Sequence, residues 1–278
     1  MSEAGKLSHE APALRCWIGG VGLLGPGLAG WAASAPVLAG TAPWQEAAPV
    51  VPPPALLGAA ERRRASLAVR LALAVASEAV EGSGFAPEAL ETVFASSNGD
   101  GAVVGAILDA LATPGGDVSP TLFHNSVHNA AAGYWGIGAG SMRASVSLGC
   151  HDDTFPLGLL QAATEVAAWG RPVLFCAYDA PLTPPLDTCR LTTLPFATAM
   201  LLLPAPQPGA RATLALRHAE GQGEPEAAPR SSLRAALEDA NPAARALPLL
   251  EALAARQAAR FAWPLLDGLR LEAELAPC

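Results

Sequence analysis

The sequence predicts a layered α/β domain, and three observations carry that prediction. Short apolar or alternating runs at 14–21, 92–96, 144–148, 173–177, 196–203 and 213–217 read as strands. Helical stretches fall between several of them, which is the pattern of an α/β rather than an all-helical or all-strand chain. Of the 278 residues, 51% are hydrophobic and only 15% charged, so there is ample material for a packed core.

Residues up to Ala13 form an extended start. The run at 14–21 is a first strand, followed by glycine and proline: Gly25, Pro26, Gly27, Gly30 and Pro36 break any helix there, and 41–54 is Pro-rich and irregular. A long helix opens near Ala60 with Arg62, Arg63 and Arg64. It carries Leu67, Leu71, Ala74 and Val75 on one face and stops at Gly82 and Gly84. A strand at 92–96 runs into the turn Asn98-Gly99-Asp100-Gly101, which opens a helix at 102–111 ended by Pro114-Gly115-Gly116. The stretch 126–135 reads as helical and 144–148 as a strand. Asp153 or Thr154 caps a helix running to about Ala168, and Gly170-Arg171-Pro172 turns the chain into a central strand at 173–177. Strands at 196–203 and 213–217 follow, joined by a Pro/Gly turn at 204–209. Composition shifts at Glu220: 221–229 is a polar linker, and 231–238 and 243–260 read as two helices, the second opened by Asn241-Pro242. The chain therefore divides into a main domain, 1–220, and a linker with C-terminal helices, 221–278. Leu249, Leu253, Arg256 and Arg260 have the spacing of a helix docked on a neighbouring surface.

Composition excludes several function classes. With 17 Lys and Arg against 25 Asp and Glu, the net charge is −8 and no basic stripe exists for nucleic acid. Disorder of the whole chain is excluded by its apolarity. Five scattered cysteines without a CxxC pair read as a reduced, cytoplasmic protein. The uncharged stretch from Cys16 to Trp44 is interrupted too often by glycine and proline for a transmembrane helix, and reads as a buried strand and loop.

Three constellations could carry chemistry. Gly20-x-Gly22-x-x-Gly25 matches a dinucleotide fingerprint, but no helix opens in the glycines to hold a pyrophosphate. It reads instead as a tight turn after the first strand, and no cofactor is expected. His124 and His128, four apart, could offer two metal ligands on one helix face. No glutamate of an HExxH motif accompanies them, and Asp152 and Asp153 belong to another segment, so no metal is expected. Cys150-His151-Asp152-Asp153 lies between a strand and a helix, where a thiol gains nucleophilicity and an aspartate caps. A cap needs no partner residues, whereas a nucleophile needs a base elsewhere.

The order of Trp17-Ile18-Gly19-Gly20-Val21-Gly22, Arg62-Arg63-Arg64 before a helix, Asn129-Ala130-Ala131-Ala132-Gly133 and Ser145-Val146-Ser147-Leu148 resembles the N-terminal half of a β-ketoacyl synthase. The resemblance reaches to about Gly221 and is most specific from Phe123 to Trp135. It is greatest to the short synthase-like chain length factors of aryl polyene synthesis. It implies a thiolase-like α/β/α fold, N-terminal half only, with the added C-terminal helices. An ungapped count from Asn129 places Asp152 at the family's nucleophile position, with Asp153 adjacent and Cys150 two residues early. A carboxylate cannot replace a thiolate in thioester exchange.

The resemblance therefore implies a non-catalytic subunit that pairs with an active ketosynthase, helps shape its acyl tunnel and meets acyl carrier protein through the complex. The strand matching 144–148 lies at the sheet edge in the family and pairs with the partner. An obligate interface of that kind buries at least ~2,000 Å². Phe123, His124, His128, Asn129, Tyr134, Trp135 and Phe155 are the tunnel or interface candidates, ordinary packing being the competing reading for each bulky one. The alternatives are an acyl-transfer enzyme using Cys150 with His151 or His128 as base, and a metal hydrolase built on His124, His128 and Asp152.

Overall fold

Two strands of almost unbroken apolar sequence sit at the centre of the molecule, because only residues without charge can be covered on both faces of a sheet. A computed structural model describes residues 13–221, 230–265 and 268–278. The elements run β1 Leu14–Gly25, β2 Leu28–Ala29, α1 Trp31–Leu38, α2 Ala59–Arg64, α3 Leu67–Val80, β3 Glu91–Ala95, α4 Gly101–Ala112, α5 Pro120–Asn125, α6 Ala130–Ala139, β4 Ser145–Leu148, α7 Thr154–Trp169, β5 Val173–Asp179, β6 Phe196–Leu203, β7 Ala212–Glu220, α8 Ser232–Glu238, α9 Leu247–Ala255, β8 Ala259–Pro264 and β9 Leu269–Pro277. They build a nine-stranded mixed sheet of order β4-β3-β5-β6-β1-β7-β9-β8, with β2 paired to β1. The fully buried β5 and β6 lie inside it. β4, β3 and β5 are parallel, so α7 is the crossover from β4 to β5.

Helices cover both faces. α3 and α6 pack on one side over Phe94, Leu174, Ala199 and Leu201. On the other side α7, α1 and α9 cover Ile18, Phe175, Leu214 and Leu271. The layered α/β/α architecture expected from the sequence is present, and β4 is an edge strand.

Several local expectations are corrected. Gly20 and Gly22 do not form a turn after β1; they lie inside it. A Cβ would stand 1.8 Å from the Ala79 carbonyl oxygen at Gly20 and 1.9 Å from that of Val75 at Gly22. The glycines are the seat on which the backbone of α3 rests. The single long helix expected from Ala60 is two, because Ser66 accepts a hydrogen bond from Val69 N and starts α3 afresh. The expected helix at 126–135 begins at Ala130, after the separate α5. Part of the loop expected after β1 is α1, which accommodates Pro36 in its interior.

After Glu220 the chain is not all helix. The helix expected over 243–260 is a 3-10 turn, Pro242–Ala246, followed by α9, which ends at Arg256 in left-handed backbone (φ 52°). β8 and β9 then extend the sheet through β7. Leu249 and Leu253 are buried by α9 as the spacing implied, but Arg260 belongs to a strand. The extended start expected up to Ala13 and the linker expected at 221–229 lie, Ala13 and Gly221 apart, outside the described residues.

Candidate functional site

The turn between β4 and α7 is held by a closed set of short hydrogen bonds. Thr154 Oγ1 accepts from Cys150 N at 2.8 Å and donates to the His151 carbonyl at 2.7 Å. Ser97 Oγ donates to the same carbonyl at 2.7 Å, tying the turn to the end of β3. His151, a non-glycine residue, is forced to φ 52°. This is the left-handed region that L side chains rarely occupy.

Asp153 stands at the N-cap position of α7, yet its side chain makes no capping bond. Its Oδ1 instead accepts from Arg245 Nη1 at 2.6 Å, and the same guanidinium donates to the carbonyls of Asp152 and Pro264. Asp152 is not a cap either. Its Oδ1 accepts from Arg190 Nη2 and its Oδ2 lies 3.3 Å from His151 Nδ1. Both carboxylates are thus engaged by guanidinium groups from distant segments. Arg190 and Arg245 carried no signal in the sequence: one lies in a Pro-rich loop, the other in a 3-10 turn.

Cys150 precedes this turn and is half-buried. Burial first, and then the nearby Asp153 carboxylate, push its thiol above the ordinary range and keep it protonated. Neither candidate base is hydrogen-bonded to it among the described residues. His128 Nε2 is 2.9 Å from the Ser96 carbonyl oxygen, and the His151 ring faces Asp152.

Beneath the turn, Asp179 at the end of β5 is fully buried. Its Oδ1 accepts from Ser96 Oγ at 2.8 Å and Asn98 N at 3.0 Å. Burial pushes this carboxyl up to about 6 against the lowering effect of those bonds. Asn98 Nδ2 donates to Thr192 Oγ1, so one polar hub joins the ends of β3 and β5 to the loop carrying Arg190.

A cleft of about 1120 Å³ opens beside the turn, with Asp152 in its wall. Six arginines line it: Arg190, Arg217, Arg230, Arg234, Arg245 and Arg260. Each is paired with a carboxylate. Trp263 and Phe261 stack at its apolar side, with ring centroids 5.8 Å apart.

The remaining sequence candidates separate into two groups. Tyr134, Trp135 and Phe155 are buried core side chains, Tyr134 hydroxyl donating to Asn125 Oδ1 and Phe155 packing between Phe175 and Trp263. Phe123, His124, His128 and Asn129 are exposed, Phe123 by 69%. His124 sits in α5 edge-on to Tyr134, whereas His128 lies beyond the end of that helix against Gly149. The two histidines therefore do not share a helix face. Among the described residues no group of three His, Cys, Asp or Glu side chains could hold a metal ion. No helix among them is long and apolar enough to cross a membrane.

Comparison with known proteins identifies the architecture. The family model described as β-ketoacyl synthase, N-terminal domain, matches residues 31–264. A search of curated protein sequences found no match. Among solved structures, the fold is similar to a chain of the ketosynthase (ApeO) in complex with its chain length factor (ApeC) from Xenorhabdus doucetiae. The match has 21% identity and a TM-score of 0.70, and covers 93% of this chain and 98% of that one. A chain of the AntDE:AntF complex, a ketosynthase with its acyl-carrier protein, matches at 11% identity and TM-score 0.73, covering 96% of this chain and 100% of that one. A β-ketoacyl synthase from Burkholderia phymatum STM815 matches at 14% identity and TM-score 0.55, with 87% of this chain on 71% of that one. The fold is thiolase-like, a mixed sheet between helical layers.

Proposed function

The chain belongs to the β-ketoacyl synthase family, and from that premise we propose that it is a chain length factor: a subunit without condensing chemistry of its own that pairs with an active ketosynthase in aryl polyene synthesis. One observation carries the reading. The turn that follows β4 presents His151, Asp152 and Asp153, with both carboxylates held by arginines, and the adjacent thiol of Cys150 is kept protonated. We assign Asp152 to the position of the nucleophile, with the strained backbone one residue earlier at His151. No residue of this turn is poised for thioester exchange, which argues against the acyl-transfer reading through Cys150.

A partner has an obvious place to dock. Among the described residues β4 has a neighbour on one side only, and α6 packs beside it. Ile137 on α6 and Met142 in the turn before β4 are exposed by 60% and 98%, and Phe123 and Val127 ahead of α6 by 69% and 49%. Strand addition to β4 and burial of these side chains would satisfy both the open edge and the apolar surface. In this reading Phe123, His124, His128 and Asn129 belong to the interface that closes the partner's tunnel. Acyl carrier protein meets the chain through the complex, as a carrier protein is present in the AntDE:AntF assembly. All five cysteines are free, which supports work in the cytoplasm.

The test is co-expression with a ketosynthase of an aryl polyene pathway. The expected result is a stable heterodimer whose polyene product is lost or altered in length when this chain is omitted. A well-behaved monomer at micromolar concentration that fails to retain the ketosynthase would overturn the proposal. An acyl-thioester probe followed by intact mass should leave Cys150 unlabelled.

A further inference from the structure

We propose that Asn125 is the positioning residue of the docking surface: its buried amide ties α5 to α2 and α6 and so sets where Phe123 and Val127 meet a partner. α5 has six residues, and Asn125 is the buried one among them. A helix that short is not stable alone, and no apolar side chain of its own is fully buried to seat it. The helix it packs on, α4, is itself largely uncovered. The place of α5 is therefore left to directed bonds.

Asn125 makes two such bonds. Its Nδ2 donates to the Arg64 carbonyl oxygen at 2.8 Å, and its Oδ1 accepts from the Tyr134 hydroxyl at 3.0 Å. Arg64 is the last residue of α2, so its carbonyl has no partner within that helix. Tyr134 lies in α6 and is buried. The amide has one workable orientation, because a carbonyl accepts and cannot donate. One side chain thus joins three helices, reaching 61 residues back and 9 forward along the chain. The residue before it, His124, stands edge-on to the same Tyr134 ring at 5.9 Å. The exposed Phe123 and Val127 flank Asn125 two residues away on either side.

The energetic consequence is preorganisation. A partner gains most from apolar anchors that are already in place, since ordering them on binding offsets part of the gain. Breaking either bond leaves a buried polar group without its partner and frees the segment that carries both anchors. That these anchors meet a ketosynthase rests on the function proposed above; the tie between the three helices does not.

The experiment separates directed bonding from mere packing, using the full chain and the ketosynthase of the co-expression test. Asn125→Asp keeps the shape and the acceptor for Tyr134 but, when ionised, loses the donor to Arg64. It should weaken ketosynthase binding about 30-fold at about pH 8, relative to the unaltered chain at the same pH. At about pH 5 the neutral carboxyl donates again, because burial favours its protonated form, and most of the affinity should return. Tyr134→Phe should weaken binding about fivefold, the weight of one hydrogen bond. With Phe123→Ala and Val127→Ala already present, Asn125→Asp should cost less than about threefold, because it acts through those side chains. Amide hydrogen exchange of the free chain reads the tie without a partner: 119–127 should exchange about tenfold faster in Asn125→Asp at about pH 8, with α3 and α7 unchanged. Unchanged exchange at 119–127, faster exchange throughout α3 and α7, full binding by Asn125→Asp at about pH 8, or an undiminished loss in the Phe123 and Val127 background would each overturn the proposal. An unaltered chain that fails to retain the ketosynthase overturns the pairing instead, and exchange still decides the tie.

Discussion

Strand β4 at one end of the sheet and β8 at the other each have a single neighbour among the described residues, yet their surroundings differ. β4 reads Ser-Val-Ser-Leu, with no charge or proline in the strand, and exposed Ile137 and Met142 precede it. β8 ends in Pro264, which has no N–H to offer, and presents Arg260 paired with Glu274 on β9. Its C-terminal carbonyl is occupied by Arg245. Charge and proline are the usual devices against unwanted strand addition. One edge is therefore guarded and the other left open, and the open one is where the proposed partner would add.

The largest expected effect breaks this comparison at the open edge. Phe123→Glu combined with Val127→Glu should weaken ketosynthase binding about 100-fold, as loss of buried apolar anchors does. Ala262→Glu on β8 should leave it unchanged, and calorimetric titration of the two variants measures the contrast. Next comes the tie between the guarded edge and the turn. Arg245→Met removes the guanidinium from the largely buried Asp153 and from Pro264, and should lower the unfolding free energy by about 3 kcal/mol in urea titrations.

Asp179 belongs to neither edge and sharpens the comparison as an internal reference. Its folded-state value of about 6 lies above the ordinary aspartate range near ~3.9. The charged form is the disfavoured one, so this group's contribution to stability is greatest below pH ~4, falls as pH rises to about 6, and is level above that. Asp179→Asn should remove about 3 kcal/mol of this pH dependence, visible as a flattened plot of unfolding free energy against pH. The smallest effect is at the guarded edge itself. Arg260→Ser breaks an exposed pair and should cost less than ~0.5 kcal/mol, while self-association measured by light scattering rises.

Much of the fold was legible because periodicity is local. The buried runs of β5 and β6, the alternation of β4 and the position at which α7 starts all follow from neighbouring residues, although the expected side-chain cap on α7 is not made. β9 carries a signal of the same local kind, within a stretch where only helices are expected. Leu269, Leu271, Ala273 and Leu275 alternate with Arg270, Glu272 and Glu274, the period of a half-buried strand rather than a helix. The glycines of β1 were visible as a pattern, but their use was not: the clash that forbids a side chain comes from α3, more than fifty residues away.

By itself the sequence determined the alternation of strands and helices, the family's layered architecture, and the acidic character of the turn after β4, since these depend on residue type and near spacing. Only the tertiary structure decided what those acids do. Asp152 meets Arg190 across 38 residues and Asp153 meets Arg245 across 92, separations at which no spacing rule operates. Which guanidinium meets which carboxylate is set by how the sheet and its loops come together in space.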